Sequence, residues 1–583
     1  MQHVANPNNE VTLTIDGISV RVPEGTLIID AAKKIGIQIP ILCYHPDLAV
    51  RATCRVCLVE IKGQRKLKTA CSNEVWEGVE IITNSKVVRE ARKTVLELIL
   101  ASHPQDCLQC IRSGNCELQQ LARTFGIDKS VFESTMNEEK TLQIEEDNPS
   151  IVRDPNKCIK CGRCVAVCQE VQEVGAINTA NRSKEYEIST AYDKRLGSSP
   201  CVFCGQCIAV CPVGALYEKD NIDEVWSALE DEEKHVIVQV APAVRVALGE
   251  EFGMEQGHID TGRMVAALRR LGFDKIFDTN FAADVTIMEE GSELLERLQH
   301  HGTLPLITSC SPGWVNFVET FYPELLPNVS TCKSPQQIFG ALAKTYYAET
   351  SGVSPDKIFV VSIMPCIAKK YESSRPEMNS SGYRDVDVVL TTRELARMIK
   401  EVGIDFTALE MDAFDDPMGI STGAGAIFGT TGGVMEAALR TVYEMVIGAE
   451  LKELDFKMVR GLTGIKEAEI DLNGLKIKVA VANGLRNARL LMEKIKVGKC
   501  NYTFIEIMGC VGGCIGGGGQ PITTKAGVRE NRMAGLYQID RDSTIRQSHK
   551  NPAVIKLYED FLEKPLSHKS HILLHTHYLA RKK

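Results

Sequence analysis

Fifteen of the 21 cysteines fall between Cys43 and Cys211, about a third of the chain, and they fall in tight groups. A stretch so rich in closely spaced thiols folds around whatever those thiols hold. In a secreted domain the partners would be other cysteines. Here the polar start, Met1 to Pro7, lacks the apolar core of a secretory leader, so a cytoplasmic location is expected. Thiols stay reduced there, and metal ligation is the expected use. The remaining bulk properties exclude other classes. A net charge of −9 gives no electrostatic footprint for nucleic acid. No run of about 18 apolar residues is present, so no membrane span is expected.

Residues 11–22 alternate apolar and polar around Asp16-Gly17, a hairpin signal. A helical pattern follows over 26–35, then Cys43, Cys54, Cys57 and Cys71. Hairpin, helix and four-cysteine loop resemble a β-grasp ferredoxin-like domain holding a [2Fe–2S] cluster. The next group is His103-Pro-Gln-Asp-Cys107-Leu-Gln-Cys110 with Cys116, three thiols and an imidazole. Zinc would accept that set. The neighbouring groups favour a [4Fe–4S] cluster, and the segment resembles part of the large iron–sulfur subunit of respiratory NADH dehydrogenase. Cys-x2-Cys-x2-Cys-x3-Cys then occurs twice, at Cys158, Cys161, Cys164, Cys168 and at Cys201, Cys204, Cys207, Cys211. This is the two-cluster bacterial ferredoxin signature, in which the fourth cysteine crosses to the other cluster. Cys211 is therefore expected with Cys158, Cys161 and Cys164, and Cys168 with Cys201, Cys204 and Cys207. Gln169 stands in the first copy where the second has Pro212. Four clusters in series imply transfer of single electrons between the surface and a buried site.

From about residue 233 strands and helices alternate: strands at 235–242, 274–278, 304–308, 357–363, 386–390 and 502–508, helices at 261–271 and 283–298. The expected fold class is an α/β domain with parallel sheets, preceded by modular α+β iron–sulfur domains. The expected division is 10–88, 89–145, 146–225 and 226–583. Ligands of parallel sheets sit beyond the carboxyl ends of strands, and three such ends carry cysteines: Cys310, Cys366, and Cys510 with Cys514. The last pair precedes four glycines, Gly516 to Gly519, that let backbone pass close to a bulky object. Cys332 and Cys500 lack such context and read as inert thiols.

Thr308-Ser-Cys310-Ser311-Pro, Met364-Pro-Cys366-Ile-Ala-Lys369 and Met508-Gly-Cys510-Val-Gly-Gly-Cys514 resemble the three signatures of [FeFe]-hydrogenases, with the four-cluster front of the larger clostridial type. The resemblance implies an H-cluster, a [4Fe–4S] cubane bridged by a cysteine to a di-iron unit carrying CO, cyanide and a bridging dithiolate amine. It implies reversible conversion of protons and electrons to H2. It makes Cys366, Cys510 and Cys514 cubane ligands, with Cys514 the bridge. Lys369 pairs with a cyanide, and Met364, Met508, Pro242, Gln336 and Phe428 line the di-iron pocket. Cys310, Glu290, Ser330 and Glu293, ending near Arg297, form the proton path. Burial is expected to raise both glutamates towards neutrality. The implied partners are ferredoxin, flavin-containing NAD(P)H-linked iron–sulfur subunits of a bifurcating complex, and hydrogenase maturation proteins.

Two positions depart from that pattern. The family's first signature has two adjacent cysteines, the first a proton relay and the second a cubane ligand. Here Ser311 takes the second place. Either Ser311 ligates, or Cys310 does. A serine oxygen is a harder donor than thiolate, which favours Cys310 as ligand and leaves the relay to Ser311 or water. Ala243 stands where relatives often have a serine bonded to a cyanide. An H-cluster sensor of low turnover and a non-catalytic iron–sulfur assembly protein are the alternative readings.

Overall fold

The computed structural model describes residues 6–133, 142–451, 453–472 and 475–581. The chain begins with a hairpin, Asn6–Ile15 paired with Ile18–Glu24. Its turn places Asp16 at φ 48° and Gly17 at φ 83°. Two left-handed residues give the turn whose twist matches the strands. The strand Glu80–Ile82 lies parallel to the first strand, and Leu58–Ile61 and Lys68–Thr69 complete a five-stranded sheet. The helix Ile28–Lys34 packs its buried Ile28, Ile29, Ala31 and Ala32 into the same core as Leu13, Ile15 and Val59.

The helix Lys86–Ala101 is capped by Ser85, whose hydroxyl accepts from Val88 N at 3.2 Å, and it ends two residues before His103. The doubled cysteine motif forms a small module closed by the antiparallel strands Ile151–Arg153 and Leu216–Glu218. In each copy a left-handed glycine, Gly162 (φ 77°) or Gly205 (φ 69°), launches a short helix, Arg163–Ala166 or Gln206–Val210.

The back of the chain holds two four-stranded sheets. One is wholly parallel, ordered Lys275–Asp278, His235–Val240, Ile358–Met364, Val388–Thr391. The other is ordered Leu306–Ile307, Phe504–Met508, Leu475–Asn483, Ile465–Leu472. Its last strand is antiparallel, so the sheet is mixed rather than parallel throughout. That hairpin is absent from the sequence reading, although Asn473-Gly474 between alternating residues is a signal for one. Strand ends move by a residue or two from the expected limits. The helix expected over 283–298 runs Thr279–Gln299, started by the Asp278 carboxylate accepting from Asn280 N at 3.0 Å. Among the described residues no helix is long and apolar enough to cross a membrane.

Candidate functional site

The two sheets turn their carboxyl ends toward each other, and their loops enclose one cavity. Cys310, Cys366, Cys510 and Cys514 line it, with Ser311, Pro242, Gln336, Met364, Lys369, Phe428 and Met508. The two methionines end the strands Ile358–Met364 and Phe504–Met508 and are 3% exposed. The glycine run has a steric cause. A Cβ on Gly517 would stand 2.2 Å from Pro365 O, and one on Gly518 would stand 2.7 Å from Cys204 O. The loop is thus pressed between the Cys366 segment and the ferredoxin module, where no side chain fits.

Lys369 is held by three acceptors: Ser334 Oγ at 2.7 Å, Glu372 Oε2 at 2.8 Å and the Cys310 carbonyl at 3.2 Å. Its ammonium therefore sits beside the cysteine loop in a fixed place. Gln336 donates to Glu372 Oε2 at 3.0 Å and to Lys369 O at 3.3 Å, while its buried Oε1 has no protein partner. The neighbouring residues 310 and 311 face different groups. The Cys310 thiol lies in the field of Glu290, Cys514 and Lys369, and burial raises it well above the usual thiol range. Ser311 Oγ instead accepts from Gly509 N at 3.1 Å, next to Cys510. Burial pushes the Cys514 thiol up to about 12.

A file of buried polar groups leads from Cys310 along the Thr279–Gln299 helix. Glu290, 2% exposed, lies against Ser330 and the Ser309 N–H, and burial, with Glu293 adding, pushes it up to about 8. Ser330 donates to Glu293 Oε2 at 2.7 Å. Arg297 Nη2 donates to Glu293 Oε1 at 2.6 Å, and its Nη1 reaches the carbonyls of Thr303 and Pro327 at the surface. Glu290 and Glu293 share a helix face because they are three residues apart.

The front cysteines also gather. Cys57 and Cys71 have Sγ atoms 3.4 Å apart, with Cys43 and Cys54 beside them. His103, Cys107 and Cys116 line one cavity. Burial lowers His103 from its ordinary value, which favours the neutral imidazole, and its Nδ1 has no protein partner. Cys158, Cys161, Cys164 and Cys211 line another cavity. Cys201, Cys204 and Cys207 share the field of Cys168. The first two sets each touch the module of the doubled motif, and that module in turn approaches the cavity. Thr53 donates to Cys161 O at 3.3 Å, Cys116 Sγ lies 3.7 Å from Pro212 O, and Cys204 lies in the field of Cys366. Gln206 Nε2 reaches Cys510 Sγ at 3.3 Å and Gly516 O at 2.9 Å. Cys500 joins none of these groups and packs half-buried on a core, whereas Cys332, buried in the main core, lies in the field of Glu290 and Cys310 without lining the cavity.

The residues present fit the cofactors that the resemblance implies. The donors are thiols with one imidazole, the type that iron–sulfur clusters take. The glycine-walled cavity is apolar, and buried polar atoms at Gln336 and His103 have no partner within the protein.

Two carboxylates at the site escape sequence reading. Glu506, fully buried, accepts from Gly432 N at 2.6 Å and Met435 N at 2.7 Å, fixing the loop on which Cys514 packs. Its position before Met508 is the only local hint. Glu289 accepts from Tyr558 at 2.6 Å and from His575 Nε2 at 3.0 Å, tying the C-terminal segment to the helix that carries this file of buried polar groups.

Comparison with known proteins gives matches along the chain. The family described as "Iron only hydrogenase large subunit, C-terminal domain" matches residues 234–518, and "Iron hydrogenase small subunit" matches 526–581. Ahead of them, a 2Fe-2S iron-sulfur cluster binding domain matches 8–86. The NADH-ubiquinone oxidoreductase-G iron-sulfur binding region matches 92–130, and the ferredoxin-like domain of NADH-quinone oxidoreductase subunit 3 matches 148–217. The NADP-reducing hydrogenase subunit HndD of Solidesulfovibrio fructosivorans is 50% identical, over 98% of this chain and 99% of that one. Iron hydrogenase 1 of Clostridium pasteurianum is 44% identical, over 97% and 99%. The solved structure of a variant [FeFe]-hydrogenase from Chlamydomonas reinhardtii superposes with a TM-score of 0.56 at 44% identity, over 62% of this chain and 99% of that one.

Proposed function

The chain belongs to the iron-only hydrogenases, and from that premise we propose how its own residues carry the reaction. The enzyme interconverts H2 with two protons and two electrons. His103 and the front cysteines would hold one [2Fe–2S] and three [4Fe–4S] clusters, which would supply one-electron carriers. The H-cluster supplies the iron chemistry at which H2 is made or split.

Cys366, Cys510 and Cys514, which line the cavity, would hold that cofactor, and Cys514 would be the thiolate shared between its two parts. Lys369, already fixed by Ser334 and Glu372, offers a charged donor to an anionic ligand. Met364, Met508, Phe428 and Pro242 wall the pocket and keep water out. Cys310 would take the proton-relay role and Ser311 would be the remaining donor to the cluster. This reverses the preference drawn from donor softness, because Cys310 faces Glu290 whereas Ser311 faces the Gly509-Cys510 backbone. From Cys310 a proton passes by Glu290, Ser330 and Glu293 to Arg297 and solvent. Glu290 is a suitable carrier because its affinity for protons lies near working pH.

At the front, three modules pass electrons to the catalytic domain at 226–583. They are the [2Fe–2S] domain at 10–88, the domain of one histidine and three cysteines at 89–145, and the ferredoxin-like domain at 146–225. The cytoplasmic electron partner is an NAD(P)H-linked flavin subunit or ferredoxin. A relative named as an NADP-reducing hydrogenase subunit, matching almost the whole chain, supports the first. Hydrogenase maturation proteins supply the di-iron unit. The observation that carries this reading is the convergence of four cysteines from three strand ends on one cavity beside Cys204. Anaerobic H2 uptake by the matured protein tests it, with ferredoxin or with NADP plus the flavin subunit as acceptor. Absence of uptake with both acceptors would overturn it.

A further inference from the structure

The two ferredoxin repeats differ at one position that matters for wiring. Cys161-Gly162-Arg163-Cys164 and Cys204-Gly205-Gln206-Cys207 occupy equivalent places, each with a left-handed glycine before the variable residue. In both, that residue leaves its own module. Gln206 reaches the Cys510 loop. Arg163 reaches the other way and binds both input modules at once. Its Nη2 donates to Tyr44 O, in the [2Fe–2S] loop, at 2.8 Å. Its two terminal nitrogens grip the Glu117 carboxylate, at the start of the helix after Cys116, at 2.7 and 2.9 Å. A longer contact of 3.4 Å runs to Val210 O. The guanidinium is 1% exposed, and its Nε–H is buried with no protein acceptor.

The neutral Gln206 shows that the repeat itself folds without a charge here. A buried arginine at the input side alone needs a reason, since burying a charge is costly. The cysteines facing it are Cys161 and Cys211, both from one set. We propose that Arg163 is a positioning residue for electron uptake: it docks the [2Fe–2S] module and the histidine-ligated module onto the Cys158–Cys211 cluster and aims its free Nε–H and its charge at that cluster. An electron leaving either front cluster then reduces this one. A fixed positive charge and an N–H bond to sulfur both favour the reduced form, so they raise its potential above that of its donors. The junction becomes the collecting point of two inputs. This rests on the cluster reading of the front cysteines.

Potentiometric EPR on the full-length protein, with accessory clusters loaded, tests it without turnover. Arg163→Met should shift the junction cluster to lower potential. Glu117→Gln, which leaves the arginine charge uncompensated, should shift it to higher potential. Opposite signs are expected because charge sets the potential; a merely structural contact moves both variants the same way. Arg163→Lys should keep most of the potential but slow reduction through the front. If Arg163→Met fails to load its clusters, Glu117→Gln and Arg163→Lys decide. An unchanged or lowered potential in Glu117→Gln, or an unslowed Arg163→Lys, overturns the proposal. A wild-type protein lacking this cluster overturns the cluster reading beneath it.

Discussion

Ser330 donates its hydroxyl to Glu293 at 2.7 Å, and both groups are closed off from solvent. The bond crosses between the Thr279–Gln299 helix and the loop before the Pro335–Leu342 helix. In the proposed proton file it is the narrowest link, because a hydroxyl must accept one proton as it gives another. Glu293→Gln keeps the shape and removes the carrier. H2 evolution should fall about a hundredfold or more, the scale of a lost proton-transfer group. The infrared bands of the cofactor should stay in place. Turnover within a few-fold of wild type would contradict the file.

Glu290 is held at about 8 by burial. Turnover that needs its protonated form should fall as pH rises past that value, and Glu290→Gln should lose this limb together with most activity. Stability follows the same group. The folded value lies above the ordinary carboxylate value of 4.5. Its contribution is therefore complete below about pH 4.5 and lost as pH rises through about 8. Thermal unfolding of Glu290→Gln, compared with wild type across that window, should show a relative gain at the alkaline end and none at the acid end.

What could be read from sequence is what is local. Asp16-Gly17 announces its hairpin because two adjacent left-handed residues suit only such a turn. The doubled cysteine motif carries its own crossing rule, and Cys211 lines the same cavity as Cys158, Cys161 and Cys164. The strand-end cysteines were legible because parallel sheets place ligands there. Long-range polar pairs were not. His575 meets Glu289 across 286 positions, and Arg163 meets Tyr44 across 119. Nothing in either local sequence marks its partner, since the pairs are joined only by packing between segments distant in the chain. The choice between Cys310 and Ser311 was hidden for the same reason. It depends on which neighbour each faces.

That choice is open to direct trial. Cys310→Ala should retain the cubane, seen by EPR, and lose turnover through the missing relay. Ser311→Cys should leave the proton file intact and alter the cubane spectrum, because thiolate is a softer donor than a serine oxygen. Loss of the cubane in Cys310→Ala would reassign that residue as the ligand.

Gly518 packs on backbone that cannot yield. A Cβ there meets Cys204 O at 2.7 Å and the Gly205 carbonyl carbon at 2.8 Å. Gly518→Ala should destabilise the protein by about 1–3 kcal/mol, the usual cost of overpacking. It should also part the ferredoxin module from the Cys510 loop, so reduction of the cubane by dithionite through the front should slow. Gly403→Ala, with nothing within 4 Å of its Cβ but a left-handed φ of 70°, should cost stability through backbone strain yet leave that rate unchanged. Equal rates in the two variants would contradict the contact's role.

The infrared spectrum of the anaerobically matured protein tests the central claim most directly. A hydrogenase whose four cavity-lining cysteine positions surround an H-cluster must show bands of iron-bound CO and cyanide, and they should shift when H2 is admitted. A fully matured protein with its front clusters loaded and no such bands would contradict the account.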